Sequence, residues 1–310
     1  MVPKVVLEPL RKYPVEIIAV TSMTEGGGST GQLRNDFNVL PSGDISRHLV
    51  ALSGAPQWKR DLFYSRFGRE KFSGGHVGHR FGTVFISLAE HFLGSFEKAL
   101  GFAHEFLEVK EHKALPATTN NVQLMAELEN GEIIEGEDEI DVPKKHKPGL
   151  RIRKVFLKPK ARIFPPVRSA IIGADLIVLG PGDFYSSTIP CLLPRGVKEA
   201  FRKSKAKKVF ICNTITKLGE TNGFSVLDFV GEIESYIGVP LDFVVYHKNG
   251  ISRKEIEKYK RINRSALKPV RVDEGLSGRK FIGENLLLKT GSLNFNSEKL
   301  AKIIFNLCRQ

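Results

Sequence analysis

Cysteine is nearly missing from this 310-residue chain: Cys191, Cys212 and Cys308 are all there is, and they lie far from one another. Three scattered thiols make neither a disulfide framework nor a cysteine-based zinc site, and they suit a reducing cytoplasm. No apolar run approaches the roughly 20 residues that span a bilayer. The first ten residues also lack a basic segment followed by an apolar core, so the sequence predicts a cytoplasmic protein with no membrane span. Internal repeats are missing too, as are a Ser-His-Asp order, a Cys-His dyad and a paired-carboxylate spacing. No catalytic residue can therefore be named from the residues alone.

What the chain does have is positive charge. Lysine and arginine number 47 against 34 acidic residues, a net charge of +13, which favours anionic partners without choosing among nucleotides, nucleic acid and an acidic surface. The basic runs (residues 144–147, 151–153, 158–162, 202–208 and 253–271) and the acidic run 127–141 read as solvated faces. No aromatic residues are interleaved in the pattern of an RNA- or DNA-binding motif, which predicts no nucleic-acid partner. With 41% hydrophobic residues the chain can bury a sizeable core.

Four short apolar runs, residues 16–20, 175–179, 208–212 and 242–246, show no alternation, as expected of strands covered on both faces in a parallel sheet. Helical patterns at 196–204 and 225–237 separate the last three, giving a β-α-β rhythm. The fold expected is α/β, a Rossmann-like doubly wound, mostly parallel sheet. Residues 44–160 form an inserted helical and hairpin portion within a single domain spanning 1–310. Helices are expected at 45–52, 81–92 and 96–106, and a hairpin at 122–128 and 132–135 about the Asn130-Gly131 turn, with 151–157 joining it as a small antiparallel appendage. Residues 142–149 read as a flexible connector, and 297–307 as a closing amphipathic helix.

Each of the four strands ends in a polar or glycine-rich loop, and ligands of open α/β sheets bind at the carboxyl ends of strands. The first loop reads Glu25-Gly26-Gly27-Gly28-Ser29-Thr30-Gly31. Glycines after a strand let successive N–H groups turn inward around an anion, and a following helix points its positive end there. Literal spacing matches both a dinucleotide fingerprint and a Walker A loop. However, Gln32-Leu33 stands where Walker A needs Lys and Ser or Thr, and Asp44 opens a helix instead of ending a second strand. Arg34, Asp44 and Arg47 lie close by in sequence. The second loop, Gly180-Pro181-Gly182-Asp183-Phe184-Tyr185-Ser186, couples a tight turn to a group of donors. After the third strand, Asn213, Thr214, Thr216, Glu220 and Thr221 make a polar rim, in which Thr221 and Asn222 are alternatively caps for the helix near 225. His76 and His79 have a metal-pair spacing with no third ligand nearby, so no metal site is expected and His79 is read as a helix-entry residue or one facing the ligand site. Thr118 and Asn120 sit in a loop leading to the hairpin, where turn chemistry is equally expected.

Seven segments in order resemble a known family. They are Thr24-Glu-Gly-Gly-Gly-Ser-Thr-Gly-Gln-Leu-Arg34, Leu40-Pro-Ser-Gly-Asp-Ile-Ser-Arg47, Gly78-His-Arg-Phe-Gly82, Leu115-Pro-Ala-Thr118, Ala126-Glu-Leu-Glu-Asn-Gly131, Gly180-Pro-Gly182 with Tyr185-Ser186, and Cys212-Asn213 with Gly219-Glu-Thr221. Together they are similar to the YvcK proteins, the gluconeogenesis factors, which share a fold with CofD, the 2-phospho-L-lactate transferase.

The resemblance implies a cytoplasmic regulator that binds UDP-sugars such as UDP-N-acetylglucosamine and requires no cofactor. It also implies a role in cell shape and peptidoglycan supply during gluconeogenic growth, with partners in cell-envelope synthesis. It places Gly27, Gly28, Ser29, Thr30, Gly31 and Arg34 in the nucleotide-sugar site, with Asp44, Gly180, Gly182, Tyr185, Asn213 and Thr216 around it. The alternative is a CofD-type transferase moving a phospholactyl group to a deazaflavin precursor with magnesium.

The chain departs from the family at several points. Gly26 replaces a usual carboxylate, Gly78-His-Arg-Phe-Gly82-Thr83 replaces Gly-His-Ser-x-Gly-Asn, and Asn294-Phe-Asn296 replaces Arg-His-Asp. Relatives also begin with a strand and a Gly-Gly-Gly-Thr-Gly loop ahead of the helix that appears here at 5–12. Either Met1 is an internal codon, or that strand and its loop have been lost.

The reading of the basic runs as solvated faces predicts no band shift with RNA or duplex DNA in a gel assay. A salt-sensitive shift would contradict it.

Overall fold

The computed structural model describes residues 3–68, 78–143, 147–252, 255–257, 267–276, 278, 280–288 and 293–310. His76 and residues 144–146 of the expected connector lie outside these.

The chain opens with a π-helical turn, Pro3–Leu7, continued by α1 (Glu8–Leu10), and then β1 (Ile18–Thr21). Helices α2 (Gly28–Phe37), α3 (Gly43–Leu52), α4 (Gln57–Tyr64), α5 (Phe81–Leu93) and α6 (Phe96–Phe106) follow before β2 (Lys113–Pro116). Next come β3 (Gln123–Leu128), β4 (Ile133–Glu135), α7 (Glu137–Asp141), β5 (Ile152–Lys158), α8 (Pro165–Gly173) and β6 (Leu176–Leu179). The chain then runs through α9 (Val197–Lys203), β7 (Lys207–Ile211), β8 (Ile215–Lys217), α10 (Val226–Ile237) and β9 (Phe243–His247). It ends with β10 (Leu267–Pro269), β11 (Phe281–Glu284) and α12 (Ser297–Cys308).

The expected α/β architecture is present. Strands β6, β7, β9 and β11 form a parallel sheet in the order β11-β9-β7-β6, and β3 pairs antiparallel with β4 and β5 in the expected appendage. Two features differ from expectation. Among the described residues the parallel strands form two sheets rather than one, because there β1 pairs only with β2, a strand the pattern did not suggest, and makes no ladder with β6. Helix α10 is capped by Ser225, not by Thr221 or Asn222. The Ser225 hydroxyl accepts from the Asp228 N–H at 3.3 Å and the Asp228 carboxylate accepts from the Ser225 N–H at 2.7 Å, a reciprocal arrangement that outcompetes an isolated threonine. Among the described residues no helix is long and apolar enough to cross a membrane.

The apolar faces of these elements meet in three clusters. One lies between the appendage, α10 and the inner face of β6, β7 and β9; a second joins α3, α5 and α6 around β1 and β2; the third lies under α12 and the N-terminal turn. Ala19 sits in the second cluster while Ile18 and Val20 border the first, and Leu176 and Val178 border the third while Ile177 borders the first. Successive residues of β1 and β6 thus feed opposite faces, as the period of a strand requires.

The entry to β1 and β2 depends on neutral histidines. His104 accepts the Ala114 N–H on Nε2 at 3.1 Å while its Nδ1 bonds the Leu100 carbonyl at 2.9 Å, and His112 accepts the Ile17 N–H on Nδ1 at 3.3 Å. An accepting nitrogen cannot carry a proton, and burial lowers both pKa values from the usual 6.5. A depressed histidine pKa means that the unfolded chain takes up the proton first. This contribution is therefore complete above pH 6.5 and is lost as pH falls toward the folded value. In urea denaturation, His104→Leu should cost about 1–2 kcal/mol at pH 7.5 and clearly less at pH 5. A difference from wild type that stays constant with pH would contradict the assignment.

Candidate functional site

Strand β1 ends at Thr21, and the chain turns through residues 22–27 into α2. Gly27, the N-cap, is extended (φ −98°, ψ 165°) and no side chain caps the helix. A Cβ on Gly31 would lie 2.0 Å from the Gly26 carbonyl oxygen, so the second turn of the helix is folded tightly over the loop and tolerates only glycine. Gly28 takes φ +53°. The result is a row of N–H groups at the positive end of a ten-residue helix. Ser29 stands on its first turn, with its hydroxyl 2.5 Å from His79 Nδ1.

The helix that follows is occupied differently. Glu25 reaches back so that Oε2 accepts the Asp44 N–H at 2.9 Å and Oε1 pairs with Arg47 at 3.2 Å. Asp44 also pairs with Arg47. The approach is so close that a Cβ on Gly43 would lie 2.5 Å from Thr30 Oγ1 and 2.7 Å from Glu25 Oε2. Glu25 is therefore the anion at the N-terminus of α3. Burial raises its pKa, opposed by Arg47, the Gly43 N–H and Arg80.

The loop after β6 is also filled from within. Glu220, whose side chain is wholly buried, accepts the N–H groups of Tyr185 at 2.8 Å and Ser186 at 3.3 Å, and the Ser186 hydroxyl at 3.0 Å. Lys217 Nζ lies 3.0 Å from Glu220 and 3.5 Å from Asp183, and it also bonds Asp141. Asn213 ties the two loops together by donating to the Gly182 carbonyl at 2.8 Å. Gly180 takes φ +74° with Ile211's carbonyl pressed against it, and Pro181 completes that turn. Tyr185, read from sequence as a donor at the rim, is instead a core residue. It is 0% exposed, packed edge-on against Phe184 and Phe224, because an aromatic ring at the head of this turn gains more from the apolar cluster than from solvent.

The rim residues have local partners. Thr216 donates to the Lys268 carbonyl at 3.2 Å, Thr221 accepts the Lys217 N–H at 3.0 Å, and Thr214 is buried. Thr118 and Asn120 close a turn, with the Asn120 N–H donating to Thr118 Oγ1 at 3.1 Å, and Asn120 Oδ1 accepts the Arg162 N–H at 3.0 Å. Arg34 donates to Asn121 and to the Val122 carbonyl at 2.6 Å, fastening α2 to the hairpin. The loop after β9 turns toward β11, where His247 Nδ1 accepts the Leu286 N–H at 3.1 Å.

The element that brings the first two loops together is α7, which the sequence reading placed inside a solvated acidic run. The end of that run is not solvated: Glu139 is buried, Glu137 and Asp141 are half-buried. Burial, then Asp141, Glu25 and Glu220, push Glu137 up to about 8. Glu137, Asp141 and Lys217 are the site residues that sequence reasoning missed. Asp141, Asp183 and Glu220 place one carboxylate oxygen each within 4.8 Å of one another, a grouping assembled from three distant segments. Lys217 already contacts all three carboxylates, and both Glu220 oxygens are bonded. This donor set does not fit the magnesium of a transferase.

The model of the 2-phospho-L-lactate transferase CofD family matches residues 3–287. The chain is 32% identical over 312 residues to the gluconeogenesis factor of Bacillus subtilis, covering 99% of this chain and 95% of that one. It is 35% identical over 305 residues to a relative in Nostoc sp. (strain PCC 7120), covering 96% of this chain but 64% of that relative's length. A crystal structure of a upf0052 family protein from Bacillus halodurans superposes with a TM-score of 0.88 at 34% identity, over 98% of this chain and 96% of that one.

Removing Lys217 strands the buried Glu220 carboxylate, a loss of at most about 3–5 kcal/mol for a fully buried pair and less here because Asp141 and Asp183 are partly solvated. In chemical denaturation, Lys217→Met should be destabilised on that scale, and adding Glu220→Gln should recover part of it. A Lys217→Met chain as stable as wild type would show that the cluster is solvated.

Proposed function

The chain belongs to the CofD family, and on that premise we propose that it is a nucleotide-sugar-binding regulator of the gluconeogenesis factor type, with the diphosphate of a UDP-sugar held at the N-terminus of α2. One observation carries the reading. Of three loops built to receive an anion, two already hold a carboxylate of the chain itself, Glu25 on α3 and Glu220 on the turn at 184–188. Among the described residues, no side-chain acceptor of this kind closes the third, the glycine-walled end of α2. A diphosphate there would meet aligned N–H groups and the Ser29 hydroxyl, each charge gaining roughly 0.3–2 kcal/mol from the helix end.

The uridine and N-acetylglucosamine parts of the ligand follow from the family resemblance, as do a cytoplasmic setting, the control of cell shape during gluconeogenic growth and partners in envelope synthesis. Occupancy of the α2 cradle would bias a surface that such partners read. The transferase alternative has less support. Gly26 stands where relatives carry a carboxylate, and the acidic groups that do converge already share Lys217 as their ion-pair partner.

Calorimetric titration with UDP-N-acetylglucosamine should give saturable heat, weakened about tenfold in Ser29→Ala, the equivalent of one hydrogen bond to a charged group. Silence at millimolar ligand would refute the proposal. Magnesium-dependent phospholactyl transfer to a deazaflavin acceptor would establish the alternative.

A further inference from the structure

A diphosphate at α2 carries more negative charge than a helix end can balance, because the aligned N–H groups amount to about half a unit charge. Glu25, Glu137 and Asp138 also stand close by. The site therefore calls for a cation, and most cations around the glycine loop are already committed. Arg47 pairs with Glu25 and Asp44, and Lys217 with Asp141, Asp183 and Glu220. Arg34 donates to Asn121 and the Val122 carbonyl, and Arg66 to the Gly78 carbonyl.

Arg80 is different. Among the described residues it has no ion pair, and its Nη1 is buried with no hydrogen-bond acceptor. The guanidinium lies over the Tyr64 ring, 5.2 Å from the centroid, a contact that fixes its plane without using the donors in that plane. Burial, then Arg66 and Arg47, lower its pKa against the weaker pull of Tyr64 and Glu25. A half-buried guanidinium is thus held among like charges with nothing to accept from it, a cost that an arriving anion would remove.

Its place is fixed beside the cradle. The Phe67 N–H donates to the His79 carbonyl at 3.0 Å and the Phe81 N–H to the Ser65 carbonyl at 2.9 Å, with Arg66 and Arg80 forming the antiparallel bridge between them. His79, the preceding residue, meets the Ser29 hydroxyl on the first turn of α2. Arg80 also acts on Glu25, the residue that opens the glycine loop.

We propose that Arg80 is the second half of the diphosphate site: the α2 N–H groups and Ser29 take one phosphate, and the Arg80 guanidinium takes the other. The inference rests on the reading of α2 as a diphosphate cradle. A planar guanidinium suits the task because its fork matches two oxygens of one phosphate. A lone phosphate would be held by the helix end and would need Arg80 little.

Inorganic phosphate, inorganic pyrophosphate and UDP-N-acetylglucosamine, each titrated calorimetrically into the full chain at fixed ionic strength, test this. Pyrophosphate should bind about tenfold or more tighter than phosphate, the equivalent of one added charge-assisted contact. Arg80→Gln should weaken pyrophosphate and the nucleotide sugar by about that factor and leave phosphate nearly unchanged, which also shows the variant to be folded. Arg80→Lys, which keeps the charge without the flat fork, should fall between. Full diphosphate affinity in Arg80→Gln would overturn the proposal, as would losses of phosphate and pyrophosphate affinity in equal proportion in both variants. Arg80-dependent binding of pyrophosphate without binding of the nucleotide sugar would support the proposal and refute the sugar reading. Silence with all three probes would overturn both.

Discussion

The ammonium of Lys217, held among Glu220, Asp183 and Asp141, is the contact on which the site depends. It joins three parts of the chain that are remote in sequence: the strand β8, the loop after β6 and the short helix α7. Without a cation there, the buried Glu220 would face the half-buried Asp141 and the exposed Asp183 with no opposing charge, which favours its taking up a proton. With it, Glu220 can remain an acceptor for the N–H groups of Tyr185 and Ser186 and hold the turn at 184–188 against the core. α7 in turn carries Glu137 and Asp138 up to the glycine loop, where a Cβ on Gly27 would lie 3.0 Å from that of Asp138. One half-buried cation therefore sets the wall against which the α2 cradle stands.

The same chemistry explains why a glycine-rich loop is a poor guide to a ligand when read by itself. Glycines and helix N-termini recur at the carboxyl edge of this protein, and each offers N–H groups to an anion. Glu25 satisfies one and Glu220 another, as intramolecular stand-ins for a bound anion. The carboxylates that fill these places also surround the remaining one with negative charge. That favours a ligand whose charge is confined to a compact diphosphate, directed at the helix end and away from Glu137.

Much of the fold was legible because it rests on local patterns. The continuous apolar runs became β6, β7 and β9 within a residue or so, the Asn130-Gly131 turn gave the hairpin, and the helical periodicities gave α5, α6, α10 and α12. Strand β2 was not legible: Lys113-Ala-Leu-Pro116 is too short and too mixed to register as a buried run, and it becomes a strand only by pairing with β1. Within the site, the glycine loop and the Gly-Pro-Gly turn could be read from spacing. Tyr185 could not be placed, since nothing local distinguishes a ring aimed at a ligand from one buried against Phe224. Glu137, Asp141 and Lys217 were equally hidden, because an acidic run and a lysine acquire a role only when the fold brings 76 residues of separation down to a hydrogen bond. The signal available was the position of the run, directly after the hairpin and before the connector.

The central claim is that two of the three anion cradles are closed by the protein's own carboxylates and one is open. Backbone amide shifts in a uniformly nitrogen-15-labelled chain test it most directly, followed as UDP-N-acetylglucosamine is added. The account predicts saturable movement of the Gly28, Ser29 and Thr30 signals while those of Asp44, Tyr185 and Ser186 stay in place. Movement centred on Tyr185 and Ser186, with the α2 amides unchanged, would contradict it.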